Sequence, residues 1–437
     1  MGAARLAAVL TRWTAEQVLA LAPDASAQKS ARSLATPRPW RDAGGSDDDP
    51  PTIWGLCQGS GAKPYQTCVD LAEPAYRCSC PSRKFPCKHA LGLLLLWSAG
   101  GVPSGEPPDW VHDWQAVRAA RKEKAQAAPA RSGPSPRAQA QRAARVVAGL
   151  DELDRWLGDQ VRSGLAGASG LGYGHWEAIA ARLVDAQAPG AAGAVRRLAG
   201  AASDPTGERL LAGLSLLRLL VCGYRRLAEL PEPLAATVRA QVGITVPTDE
   251  VLAGVPVRDR WQVVGLRDEI DERLSVRRVW LSGATGGRPA LVLSFAAPGQ
   301  ALAADLVVGA TLDADVCYFP GALPLRALVA TRHAAVESGP PAGVPVAAAL
   351  LRYAEALAAD PWLERWPMVL AGVTAVGGPR WHLVDGTGAA LPLDRAVEEP
   401  WRLVAASGGH PVTVAGEWTP AGLRPLTAWV DGRLVTL

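Results

Sequence analysis

Apolar residues along the chain follow two different periods. Between residues 138 and 243 they recur at three- and four-residue steps: Val146, Val147, Leu150, Leu153, Trp156 and Leu157, then Ile179, Leu183 and Val184. Leu210 to Leu230 continues the pattern until Pro231 closes it. This spacing predicts helices that bury their apolar faces against one another, a bundle over 138–243. From about Ile244 the period shortens. Residues 260–266, 276–281, 290–295 and 305–312 read as strands between turn residues, and Cys317 sits in a further strand-like run. Helices are expected at 323–333 and 344–359, and short strands around Val369, Trp381, Trp401, Val412 and Trp429. Residues 244–437 are therefore expected to form a mainly antiparallel α+β domain, a small sheet or an open barrel. Sheet-rich domains of this size bind oligonucleotides through aromatic faces in some proteins, but no such face is marked here, and the tryptophans read as core.

The first hundred residues mix both periods. Thr14 followed three residues on by Gln17 is a capping-box pattern for a helix start. Residues 29–49 turn polar and read as an entry loop or an irregular strand. Two strands, 52–57 and 65–71, flank Gly59-Ser-Gly61, a hairpin signal, and a third extended piece covers 75–80. Residues 90–97 form a helix apolar nearly all round, so more than one neighbour must cover it, with the helix after Thr14 as a candidate. Residues 100–137 form a basic, Pro-rich linker whose middle, 110–127, has the pattern of a solvated helix.

Chemistry concentrates between the third strand and the apolar helix. Cys78-Ser-Cys80 and, after six residues, Cys87-Lys-His89 place three thiols and an imidazole in one short stretch, the donor set of a zinc site. Cys78 and Cys80 leave a strand on the same side, because strand side chains alternate, and Cys87 and His89 come from the mouth of the helix. Four protein ligands fill a tetrahedral zinc, which makes the site structural, whereas a catalytic zinc keeps one position open. The rival reading is a redox pair at Cys78 and Cys80. Cys222 and Cys317 read as small buried hydrophobes, while Cys57 and Cys68 lie close enough to the motif to invite a second metal or redox reading that lacks two further nearby ligands.

The C-x-C…C-x-H order between a strand and an apolar helix resembles the SWIM zinc finger, over about residues 52–98. That resemblance implies a ββα module that binds nucleic acid or protein, as in Mutator-type transposases, Swi-Snf-type helicases and recombination accessory proteins. More loosely, Trp54-Gly-Leu-Cys-Gln-Gly-Ser-Gly61 and the run from Cys80 through His89 resemble bacterial SWIM proteins that accompany MoxR-type AAA ATPases and von Willebrand A-domain proteins. This implies such partners and supplies no mechanism. The expected layout is an N-terminal domain at 1–99 containing the finger, the linker at 100–137, the bundle at 138–243 and the β-rich domain at 244–437.

Charge sharpens the question of partner. Residues 1–145 carry 19 Lys and Arg against 12 Asp and Glu, whereas the remainder carries 26 against 30. The basic excess thus lies with the finger and linker. Arg77, Arg83, Lys84 and Lys88 on the finger, with Arg121, Lys122 and Lys124 beyond it, are the candidate nucleic-acid contacts. The alternative is an ordinary solvated surface on an adaptor that meets proteins. A third reading is an enzyme with a site in the C-terminal half. No glycine-lysine nucleotide loop, H-E-x-x-H or G-x-S-x-G element occurs, and His175-Trp-Glu177 lacks the P-C-x-x-C that a zinc deaminase requires. An odd number of cysteines, no long apolar span and no evident cleavage site lead us to expect a soluble cytoplasmic protein.

Overall fold

The computed structural model describes residues 12–47, 51–59, 63–71, 74–82, 84–127, 135–204, 206–271, 274–297, 302–336, 338–397 and 400–437. Near the N-terminus, α1 (Ala15–Ala20) starts at the expected box: the Thr14 hydroxyl accepts from the Gln17 N–H, and the Gln17 side chain accepts from the Thr14 N–H. Then come α2 (Ala25–Ser33) and an antiparallel sheet, β1 (Trp40–Ser46), β2 (Thr52–Cys57), β3 (Tyr65–Asp70) and β4 (Ala75–Cys78), in that spatial order. The expected entry segment thus ends α2 at Ser33 and then forms an irregular edge strand, whose register shifts between Arg41 and Gly44 with Asp42 at φ +49°. α3 (Lys88–Ser98) follows, and every residue from His89 to Trp97 is buried. α1, α2 and the sheet share its perimeter, which is why an all-round apolar helix is stable here.

Gly92 sets the spacing of α2 against α3. A Cβ at this position would lie 2.6 Å from the Leu34 Cβ and 3.4 Å from the Ala31 carbonyl oxygen. Gly92→Ala is therefore expected to destabilise the N-terminal unit by about 1–3 kcal/mol, because two backbones must separate. Thermal unfolding followed by hydrogen exchange in α2 and α3 measures it.

The expected tether is docked over its first half. α4 (Asp109–Ala127) lays the buried Val111, with Trp110 and Trp114, on Trp54 and Cys68 of the finger sheet. The Gln115 amide donates to Thr52 Oγ1 at 2.9 Å, and Arg118 pairs with Asp70.

The bundle consists of α5 (Pro136–Ser163), α6 (Tyr173–Asp185), α7 (Pro189–Ala201), α8 (Glu208–Arg225) and α9 (Glu232–Val242). Its core is built from Leu150, Leu153, Trp176, Ile179, Leu183, Leu214 and Leu217, the residues at the predicted steps. Val147 and Val184, which shared the pattern, face solvent.

After a short α10 (Thr248–Leu252), the C-terminal part contains two curled sheets. The first joins β5 (Val257–Asp271), β6 (Leu274–Gly283), β7 (Pro289–Ala296), β8 (Thr311–Tyr318) and β9 (Ala327–Val336) in the order β7-β6-β5-β8-β9. Its outer edges meet: the Leu291 N–H donates to the Leu325 carbonyl at 2.7 Å, and Leu291 forms a parallel bridge with Arg326. The result is a partly open five-stranded barrel. α11 (Val346–Ala359) leads to the second sheet, formed by β10 (Trp366–Val376), β11 (His382–Val384), β12 (Ala390–Pro392), β13 (Val412–Thr419), β14 (Gly422–Val430) and β15 (Arg433–Thr436), with α12 (Pro400–Ser407) between β12 and β13. Its order is β12-β11-β10-β13-β14-β15. Here Leu393 bridges Leu423 in parallel, and the Asp394 N–H donates to the Leu423 carbonyl at 2.8 Å. With β15 set aside, the same connectivity and the same closing contact occur twice. Each first strand, β5 and β10, is long and carries an irregularity, at Val263/Gly265 and at Leu370/Val373. Such an irregularity lets one strand bend around both halves of a barrel.

Three expectations for this part need correction. Residues 323–333 are not a helix: their second half belongs to β9, paired along β8. The segment before Thr311 is irregular, and the strand runs from there to Tyr318. Trp401 lies in the first turn of α12, not in a strand. By contrast, the helix at 344–359 forms as α11.

The parts are not beads on a string. Tyr76 of β4 donates its hydroxyl to the Ala304 carbonyl at 3.1 Å, and Ala304 and Val307 complete the core around α3. Trp362 Nε1 donates to the Leu216 carbonyl at 3.0 Å, joining the second barrel's approach to α8. No described helix is long and apolar enough to cross a membrane.

Candidate metal centre

β4 and the first turn of α3 build the site. Alternation along β4 buries Tyr76, exposes Arg77 and turns Cys78 back toward the helix, and Cys80 follows two residues beyond. Cys87 is the N-cap residue of α3, so its sulfur sits where backbone N–H groups concentrate positive potential. His89, nearly fully buried, faces the sulfurs with Nδ1, at 3.7 Å from Cys78 Sγ and 4.0 Å from Cys87 Sγ. One donor atom from each of Cys78, Cys80, Cys87 and His89 lies within 4.8 Å of all the others.

Tetrahedral zinc, with sulfur at about 2.3 Å and nitrogen at about 2.0 Å, separates its ligand atoms by roughly 3.5–3.8 Å. The four donors need only a small contraction to reach this. Their electrostatics call for a cation as well. Hydrogen bonding with Cys87 holds the Cys78 thiol well below the usual thiol range, helped by His89, by the Thr67 hydroxyl 3.2 Å away and by the Cys80 backbone N–H. The negative sulfur of Cys78 pushes the Cys87 thiol up, and burial raises both Cys87 and Cys80. Three sulfurs this close resist ionising together without a counter-ion. A divalent ion removes that limit and lets all three sulfurs ionise. A structural zinc ion fits this donor set.

These residues fall within a recognised module. Residues 68–97 match the SWIM zinc finger. Residues 141–242 match the SWIM-associated four-helix bundle domain, so the bundle from α5 to α9 is a companion of the finger and not an unrelated insertion. The barrels lie outside both matches. No curated protein and no solved structure matches the chain.

Around the SWIM finger the basic residues divide. Arg77 and Lys88 are exposed and make no ion pair among the described residues. Lys84 is committed to Asp24 at 2.6 Å. Arg83 lies outside the described residues, as do the side chains of Arg121, Lys122 and Lys124, whose backbone continues α4. The finger's remaining thiols are inert: burial pushes Cys57 up to about 11 and Cys68 up to about 12, and neither joins the ligand cluster. His175 and Glu177 serve the bundle. His175 Nε2 meets Gln160 at 3.0 Å, and Glu177 takes a two-pronged bond from Arg196 at 2.8 and 2.9 Å.

Proposed function

We propose that this chain is a non-catalytic nucleic-acid-binding protein in which zinc fixes the shape of the finger and the finger's outer surface meets phosphate. The observation that carries the reading is that all four ligand positions are filled from within while Arg77 and Lys88 stand exposed beside them, with no carboxylate partner among the described residues. Zinc with three thiolates retains one negative charge. A single neighbouring cation offsets it, and the second remains available to a phosphate. The barrels support the same reading by architecture, since partly open five-stranded barrels are a common oligonucleotide scaffold, although fold alone does not assign function.

The test is fluorescence anisotropy of zinc-loaded protein with labelled single- and double-stranded DNA and RNA at rising salt. The logarithm of affinity should fall by about 0.7–0.9 per phosphate contact per log unit of salt, and Arg77→Glu and Lys88→Glu should each flatten that slope by roughly one contact. Undetectable binding at low salt removes the proposal.

A second reading is an adaptor working with a MoxR-type AAA ATPase and a von Willebrand A-domain protein. It is favoured by Val161, Leu171 and Tyr173, exposed apolar side chains grouped along the α5–α6 connection. Co-purification with such partners from the native host supports it, and recovery of the protein alone counts against it.

A further inference from the structure

We infer that the rim of the second barrel is a stacking platform for an unpaired base, centred on Trp401 and rimmed by Arg380. The inference rests on the nucleic-acid reading above and locates the single-strand site at a surface remote in sequence from the finger.

Three connections of that barrel converge. The β10–β11 loop carries Arg380 and Trp381, the segment after β12 leads into α12 with Trp401 in its first turn, and the β13–β14 turn carries Ala421. Arg380 ties them together: Nε donates to the Leu393 carbonyl at 3.1 Å, and Nη2 donates to the Ala421 carbonyl. Gly422, at φ +129°, leaves the room this requires, because a Cβ there would sit 2.8 Å from Arg380 Nη2. Both bonds are to neutral carbonyls, so the guanidinium keeps its full positive charge at the rim. Against this frame stands Trp401, 65 % exposed. Trp381 meets it edge-on, with ring centroids 5.1 Å apart and planes at 81°, an arrangement that fixes the Trp401 ring while leaving it accessible. An indole this exposed loses apolar burial in the free protein, and a base stacked on it restores that burial.

In the first barrel the aromatic rings that meet cations are already capped: Arg288 lies over Tyr318 and Arg326 over Phe319, 4.2 and 4.3 Å from the ring centroids. The face of β6 that presents Arg278 and Trp280 is covered by β13, with Glu417 bonded to both side chains. An open single strand therefore fits the second barrel's rim, where the exposed Trp401 ring is held by Trp381, the residue that follows Arg380 in the loop. A duplex hides its base faces and gains nothing from such a platform. Glu398 and Glu399 precede Trp401 in the sequence, so affinity gained here should depend on stacking more than on phosphate charge.

The experiment uses the full zinc-loaded chain and fluorescein-labelled 20-mers: single-stranded DNA, single-stranded RNA and duplex DNA. Trp401→Ala is expected to weaken single-strand binding about tenfold while leaving duplex binding and the salt slope unchanged, and Trp401→Phe should recover most of the loss. The DNA and RNA arms identify the natural strand. Wild-type single-strand affinity in Trp401→Ala overturns the platform while the nucleic-acid reading stands. Absence of binding by the wild type to every oligonucleotide overturns both. Equal loss for duplex and single strand, with no recovery by Phe, also overturns the platform, because it signals a structural role for the side chain.

Discussion

A Cys87→Ala chain is expected to purify with almost no zinc, where the wild type carries one ion. Structural zinc in small modules contributes on the order of 10–16 kcal/mol of apparent binding free energy, nearly all of it coupled to folding. Removing one of three sulfurs leaves the remaining ligands an incomplete set, and their mutual repulsion no longer has a cation to relieve it. The damage should nonetheless stay local. Leu91, Leu93 and Leu94 are fully buried in a core that also draws on α1, α2 and the sheet, so the body of α3 should persist. Hydrogen exchange is expected to show protection lost from β4 through the first turn of α3, with α5 to α9 and both barrels unchanged. Full zinc occupancy in this variant, measured by elemental analysis, would contradict the ligand assignment. His89→Ala should behave in the same way, since the imidazole is the only non-sulfur donor in the cluster.

Glu417→Ala is expected to be the most damaging change outside the finger. Glu417 is 0 % exposed and accepts from Arg278 Nε at 3.0 Å and from Trp280 Nε1 at 2.8 Å, so it joins the two barrels through a desolvated pair. Its removal strands two buried donors. Breaking such a pair from one side costs about 3–5 kcal/mol, which should lower the melting temperature by roughly 10 °C. Replacing both charges, as Arg278→Met with Glu417→Leu, should recover part of the loss, because the buried pair is removed together while Glu269 keeps Arg267 and Arg365; the Trp280 N–H still lacks its acceptor. The same network predicts an acid limit. Arg278, by hydrogen bonding, holds Glu269 down to about 2 from its ordinary 4.5, with help from Arg267 and Arg365. A depressed carboxyl stabilises the fold fully above the unfolded value and loses that contribution as pH falls. Glu269 should therefore cost stability between about pH 4.5 and 2, and Glu269→Gln should flatten this part of the profile.

What could be read from the chain follows the range of the interactions involved. Ligand spacing, the Thr14 box and the alternation of β4 are local, and each appears where the residues place it. The bundle was legible because its apolar steps repeat over many turns. β9 was not, since Ala327, Ala330 and Ala334 dilute the alternation and mimic a helix, and pairing with β8 overrides that bias. The docking of α4 rests on Val111 meeting Trp54 and Cys68 with β4 and α3 between them in the chain, so no window around Val111 contains the pair. Trp401 was misplaced for a related reason. A tryptophan among short strands suggests core, and only the helix start at Pro400 turns it outward. The repeat of barrel connectivity left no trace in residue identity, because a strand order is set by which edges meet and not by which side chains line them.

The contact between Tyr76 and Ala304 has a consequence for how the protein is made. A ribosome releases the chain from its N-terminus, at roughly 5–20 residues per second, so β4 and α3 emerge on the order of ten seconds or more before the segment that completes their core. During that interval the nascent finger lacks one wall. The metal, available as soon as His89 has cleared the exit tunnel, can hold the unfinished module together until synthesis delivers its missing neighbour. Cells short of zinc should therefore lose this protein mainly as a newborn chain, through early proteolysis, while molecules completed beforehand persist.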